Sequence, residues 1–180
     1  MTGETVLLDT CVAINLAATN LLNEMSRALR TGFVMVDVAA AELGYLRDEV
    51  GGEIVRTPIN LDEYVIQGTM NIVPLTDDEL LRYVQLATVL DDGEAATIAV
   101  AQVRGVEMAT DDRKARRICA ELGVLEPRRS LSILRAYAEA VSMEEQAVRE
   151  SLLRVRTRAS FRPRSSDPNY KWWSLHMGEE

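Results

Sequence analysis

The sequence predicts an α/β domain in which a parallel sheet carries helices on both faces. Three observations point to it. Short apolar runs without polar alternation, Val6-Leu7-Leu8 and Phe33-Val34-Met35-Val36 foremost, have the character of strands buried on both sides. Segments of helical period separate these runs at a spacing that suits crossover connections. Asp9 and Asp111 each end a strand-like run, the place where ligands collect in open parallel sheets.

Residues 4–8 read as the first strand, and residues 11–31 as helix in two pieces broken near Thr19-Asn20. Phe33 to Val36 forms the second strand. Asp37 suits the cap of a helix over 38–50, which Gly51-Gly52 would stop. Between 53 and 75 the pattern is weaker. Pro58 and Asn60-Leu61-Asp62-Glu63 suggest a loop with short flanking strands, and Asn71 to Leu75 an edge strand, because Pro74 has no N–H to give a ladder. Thr76 and Glu79, three residues apart, make a capping box for a helix reaching about Leu90. A helix from Gly93 to Val103, a strand from Val106 to Thr110 and a helix from Asp112 to Leu122, ended by Gly123, follow. Val124-Leu125 reads as a last short strand, and residues 130–140 and 142–156 as two more helices.

The 180 residues suffice for one domain with a real core, and 47% hydrophobic with 27% charged residues is ordinary for a water-soluble fold. No apolar run reaches 18 residues, and Met1-Thr2-Gly3-Glu4 lacks the basic start of a signal peptide, so the expectation is a cytoplasmic protein without a membrane partner. Cys11 and Cys119 fit no zinc or redox spacing and read as free buried thiols. The net charge of −8 argues against nucleic-acid binding by the whole surface. The charge is uneven, however: residues 154–180 hold six basic and three acidic side chains. We therefore divide the chain into a domain at 1–157 and a basic tail at 158–180, irregular until Trp172-Trp173, which is expected to dock. The tail arginines suit either RNA or an acidic partner. The lone histidine, His176, fits a surface or docking role better than that of a general base.

Four acids carry the functional reading: Asp9, Glu42, Glu94 and Asp111. Asp9 and Asp111 each suit a helix cap as well as a ligand. Glu42 lies at helical spacing between Val38 and Leu46, where an acid must be paired, neutral or bound to a cation. Glu94, in the first turn of its helix, is stabilised there by the helix dipole in any case. Asp112 reads as a plain first-turn acid, with a ligand or a water-positioning role as the alternatives, and Asp91 and Asp92 as capping or solvated. Taken together the four are more telling. Two like charges about 4 Å apart repel by roughly 4 kcal/mol at an effective dielectric near 20. Such a cluster needs a compensating charge, and an all-carboxylate set suits Mg²⁺ or Mn²⁺ rather than zinc.

The segments Val6-Leu7-Leu8-Asp9-Thr10, Val38-Ala39-Ala40-Ala41-Glu42, Gly93-Glu94-Ala95-Ala96-Thr97-Ile98-Ala99 and Ala109-Thr110-Asp111-Asp112-Arg113-Lys114-Ala115-Arg116 resemble, in order, the acidic motifs of PIN-domain nucleases. The likeness is closest to the small prokaryotic members that include the VapC toxins of toxin–antitoxin pairs, and it spans about residues 4–140. It implies a PIN-like three-layer α/β/α domain around a central, mostly parallel sheet of four to five short strands. It also implies a Mg²⁺- or Mn²⁺-dependent endoribonuclease whose metal-binding catalytic acids are Asp9, Glu42, Glu94 and Asp111, with Thr10, Thr110 and Asp112 as auxiliary groups. Cys11 stands where relatives often have Ser or Asn. A homodimer and, for a toxin, a cognate antitoxin are the implied partners. RNA would need cations near the site, and Arg113, Lys114, Arg116 and Arg117 serve either as its backbone contacts or as a solvated face.

Two other readings compete. A phosphatase of the haloacid-dehalogenase type also begins with a strand-end Asp but requires a second Asp two positions on, where this chain has Cys11. A metal-free PIN-like scaffold that binds protein or RNA without cutting would have little reason to gather uncompensated acids.

Overall fold

The computed structural model describes residues 4–178. Its centre is a four-stranded parallel sheet formed by β1 (Glu4–Leu8), β2 (Thr31–Val36), β5 (Met70–Val73) and β6 (Glu107–Ala109), in the order β5-β2-β1-β6. Register pairs Val6 with Phe33 on one side and with Glu107 on the other. Apolar side chains alternate between the two faces, as the period of a strand requires. Val6, Leu8, Phe33, Met35 and Met70 enter one core layer, whereas Leu7, Val34, Val36 and Met108 enter the other.

The first layer is closed by α1 (Thr10–Ala18), α2 (Leu22–Leu29), α8 (Ser130–Ala140), α9 (Glu145–Arg158) and α10 (Tyr170–Met177). The second is closed by α5 (Asp77–Leu86), α6 (Asp92–Arg104) and α7 (Arg113–Glu121). Two short helices, α3 (Asp37–Ala41) and α4 (Leu61–Ile66), complete the α/β/α arrangement. The break at Thr19-Asn20, the edge position of β5 and the capping box at Thr76 agree with the sequence pattern.

Three elements differ from expectation. The segment Asn60-Leu61-Asp62-Glu63, read as a loop, instead opens α4, because the Asn60 side chain accepts from the Asp62 N–H and caps the helix. The helix foreseen over 38–50 ends at Ala41, and Glu42 is its C-cap. Leu46 therefore shares no helical face with Glu42; it lies in β3 (Tyr45–Val50), which pairs with β4 (Glu53–Pro58) as an antiparallel hairpin. Gly51 and Gly52, at φ of +63° and +87°, form its two-residue turn, a conformation that a glycine pair adopts without steric cost. Val124-Leu125 forms no strand. Chain pairing beside β6 comes from Arg128, which bridges Ala109.

The tail is ordered by packing. Trp173 is fully buried, its ring edge-on to Phe161 at 6.4 Å, and Trp172 stacks edge-on to His176 at 5.3 Å. Arg158 ties α9 to Asp48 of the hairpin at 2.6 Å and donates to the carbonyl of Ala18 at the end of α1.

Glu79 shows how much a cap can carry. Its carboxylate accepts from the Thr76 N–H at 2.8 Å and pairs with Arg104 across the α5–α6 contact. The Arg104 guanidinium holds the Glu79 carboxyl down to about 2. A depressed carboxyl pKa adds stability that is fully present above the unfolded value, near 4.5, and is lost as pH falls towards 2. We expect Glu79→Gln to cost on the order of 2 kcal/mol at pH 7 and progressively less from pH 4.5 towards 2, as read by urea melts across that range.

Candidate functional site

The carboxyl ends of β1, β2 and β6 open onto one end of the sheet, and the N-terminus of α6 meets them there. Asp9 follows β1 and is 3% exposed. Its Oδ1 accepts from the Thr10 N–H at 2.7 Å, and its Oδ2 from the Thr110 hydroxyl at 2.8 Å and the Cys11 thiol at 3.2 Å. It is thus a helix cap and a pocket acid at once. Burial pushes its carboxyl above the ordinary range, against the lowering effect of those hydrogen bonds, and the charge of Asp112 adds to the rise. Thr10 in turn donates to the carbonyl of Ala39, fixing α1 against α3.

Glu42 arrives from the end of α3. Although open to solvent, its Oε1 accepts from the Gly93 N–H at 3.0 Å, at the start of α6. Desolvation raises its carboxyl, and the charges of Asp92, Asp9 and Asp91 raise it further. A Cβ at Gly93 would run into this carboxylate and lie 3.2 Å from the Thr10 hydroxyl, so only glycine allows the approach.

Glu94 is the least compensated acid. It is half-buried, and no side chain or backbone N–H among the described residues donates to its carboxylate. Burial raises its carboxyl to about 7, helped by the charges of Asp112, Asp9 and Asp91, with Lys114 opposing.

Asp111 and Asp112 divide the roles at the end of β6. Asp111 is held on both oxygens: Oδ1 accepts from the Ser130 N–H at 3.1 Å, and Oδ2 from the Ser130 hydroxyl at 2.6 Å and the Asn15 amide at 2.9 Å. Burial raises it despite these bonds. Asp112 caps α7 through Oδ1 alone, accepting from the Lys114 and Ala115 N–H groups at 2.6 and 2.8 Å. Its other oxygen has no donor among the described residues, and its charge is the one that bears most on Glu94. Asp9 thus links the acids into one repelling group, acting on Glu42 and on Glu94 and itself acted on by Asp112, with Asp111 braced by Asn15 and Ser130.

The sequence did not single out Asn15 and Ser130. Asn15 is a buried amide in α1 beside Leu16 and Val12, and a polar group so placed must find a partner. Its apolar neighbours in the helix are the one signal that could have found it. Ser130, at the start of α8, gave none.

Among the basic residues, Arg113 and Lys114 are exposed at the start of α7 beside the acids. Arg116 folds back to donate to the Asp111 carbonyl at 2.9 Å, and Arg117 pairs with Glu121 along the helix. Burial and the Asp9 charge drive the Cys11 thiol far above its ordinary value, so it stays protonated as a donor.

The donor set is oxygen throughout. Among the described residues no three of these side chains close on a point tightly enough to grip an ion unaided. The arrangement fits a cation that keeps much of its own water and takes one or two carboxylates, which is the habit of Mg²⁺, rather than a tetrahedral zinc cage.

No helix among the described residues is long and apolar enough to cross a membrane. No curated protein matches the chain. A family model described as a PIN domain matches residues 5–166. The match covers the sheet, every acid of the pocket and the first part of the tail, and with it the chain belongs to the PIN-domain family, a nuclease-type fold.

Proposed function

We propose that this protein is an endoribonuclease that cleaves phosphodiester bonds with Mg²⁺ or Mn²⁺, and that it acts in the cytoplasm as the toxin of a type II toxin–antitoxin pair. The observation that carries the nuclease reading is the Glu94 carboxylate: half-buried, without a donor, and raised to about 7 by burial and by Asp112 and Asp9. A charge left in that condition is a liability to the fold unless a proton or a cation offsets it, and an acid so placed is a candidate ligand. The toxin role, the antitoxin and a homodimer rest on the likeness of the four acidic segments to VapC-type proteins.

In this reading one or two of Asp9, Glu94 and Asp112 would bind the cation directly and the others through its own water, with Glu42 beside them at the end of α3. When bound, the cation supplies Lewis acidity at the phosphodiester and lowers the pKa of a coordinated water. The chain's own groups do the positioning. Thr10 and Thr110 orient the Asp9 oxygens, and Asn15 and Ser130 lock the turn that aims Asp112. Arg113 and Lys114 offset the charge of the incoming strand.

Total RNA incubated with the protein should be cut with Mg²⁺ or Mn²⁺ and left intact in chelator. Intact RNA under all three conditions would overturn the proposal. Thermal melting reads the cation site without reference to activity. Saturation at 100 times the dissociation constant adds about 2.7 kcal/mol, a rise of roughly 5–10 °C for a chain of this size. An unchanged melt with both ions would favour the metal-free scaffold. Growth arrest on expression, relieved by a short neighbouring coding sequence, is the expected mark of the toxin, and harmless expression of active protein would argue for a housekeeping nuclease.

A further inference from the structure

Beside the acids, the tail folds back to wall a cleft of about 120 Å³ against the start of α7. Its lining includes Arg113, Arg116, Arg129, Arg162 and Arg164, against Asp111, Asp112 and Asp167. In a chain of net charge −8, five arginines around one small cleft is a strong local reversal of sign.

These arginines are not equivalent. Arg129 is committed to Asp167 at 2.7 Å, a pair only 18% and 11% exposed that pins the tail loop to the start of α8. Asp167 also accepts from the Asn169 N–H, which fixes the turn. Arg116 is spent on the carbonyls of Asp111 and Thr110. Burial lowers its pKa and the neighbouring charge of Arg129 lowers it further, while Asp111, Asp167 and Asp112 oppose the shift. Arg113 and Arg164 are exposed, and neither has an acidic partner among the described residues. Two guanidinium forks without an acidic partner thus stand at a cleft whose five arginines outnumber its three aspartates, an arrangement suited to the oxygens of a phosphodiester.

We infer that this cleft is a phosphate subsite that seats the RNA backbone next to the cleavage site, with Arg164 and Arg113 as its direct contacts. The inference rests on the nuclease reading for the identity of the strand. Asp112 lines the cleft and also faces Glu94, so a phosphate held here is adjacent to the acids. The tail thereby becomes part of the substrate track, set in place by the Arg129–Asp167 pair and by Trp173 beneath it.

The test is fluorescence anisotropy of a labelled single-stranded RNA oligonucleotide on the full chain carrying Asp9→Asn, with Mg²⁺ and a KCl series. Adding Arg164→Ala should weaken binding several-fold and flatten the slope of log K against log[KCl] by about 0.7, the share of one neutralised phosphate on a single strand. Arg113→Ala should do the same. Arg135→Ala, which removes an exposed pair with Glu139 on α8, should change neither. No binding, or a slope for Arg164→Ala equal to that for Arg135→Ala, overturns the subsite. In the chain with Asp9 intact, Arg164→Ala should raise KM and leave kcat. Cleavage with unaltered KM and salt slope sinks the subsite and spares the nuclease. A flattened slope in a protein that never cuts RNA does the reverse.

Discussion

Asp9→Asn should reduce metal-dependent cleavage on the order of 10³-fold, about 4 kcal/mol of transition-state stabilisation, while the protein melts at or above its native temperature. The two halves of this expectation have one origin. Asp9 is 3% exposed, and burial raises its carboxyl above the ordinary range. An acid whose folded pKa is raised costs the fold stability when it is ionised near neutral pH. Replacing it with a neutral amide relieves that cost. The amide also suits the local bonds: its oxygen can accept from the Thr10 N–H, and its nitrogen can face the Thr110 hydroxyl, which rotates to accept. The charge that a cation needs is gone, and little else is. Single-turnover cleavage and a thermal melt on the same sample decide the matter. Full activity would remove Asp9 from the site, and loss of activity with a collapsed melt would make it a structural cap only.

Trp173→Ala should be the most damaging substitution for stability, at about 3–5 kcal/mol, or roughly 6–20 °C. Trp173 is fully buried in the layer that also holds Leu152, Val155 and Met177, and Phe161 presents its ring edge to it. Removing the indole leaves a void that helices fixed by Arg158 and by the Arg129–Asp167 pair cannot close. Trp172→Ala, half-buried beside His176, should cost far less and serves as the comparison. A loss below about 1 kcal/mol for Trp173→Ala would mean that the tail is not docked in solution. The same reasoning makes a chain ending at residue 157 a poor folding unit, since it lacks Phe161, Trp173 and Met177.

The central sheet was legible because its strands are buried on both faces: Val6-Leu7-Leu8 and Phe33 to Val36 admit few other readings. Local chemistry made the capping box at Thr76 and the edge position of β5 equally plain. The β3–β4 hairpin was hidden because a glycine pair stops a helix and turns a hairpin with equal ease, and only Val50 pairing with Glu53 decides between them. Glu42 consequently reached the pocket from a helix end rather than from a helical stripe. Adjacent aspartates posed a different difficulty. Sequence position cannot tell Asp111 from Asp112, because the distinction lies in Asn15 and Ser130, donors that arrive from 96 and 19 residues away. The opposition of the tail arginines to α7 was likewise invisible, since it depends on where Trp173 and Asp167 anchor the returning chain.

The order β5-β2-β1-β6 bears on when the acidic cluster comes together during synthesis. β1 leaves the ribosome well before its neighbour β6, which emerges about a hundred residues later, and the serine that braces the loop after β6 comes later still. Until those late segments return, Asp9 stands apart from Asp112, and an unfinished or prematurely terminated polypeptide holds only fragments of the acidic cluster. The cluster therefore assembles with completion of the fold rather than piece by piece during synthesis.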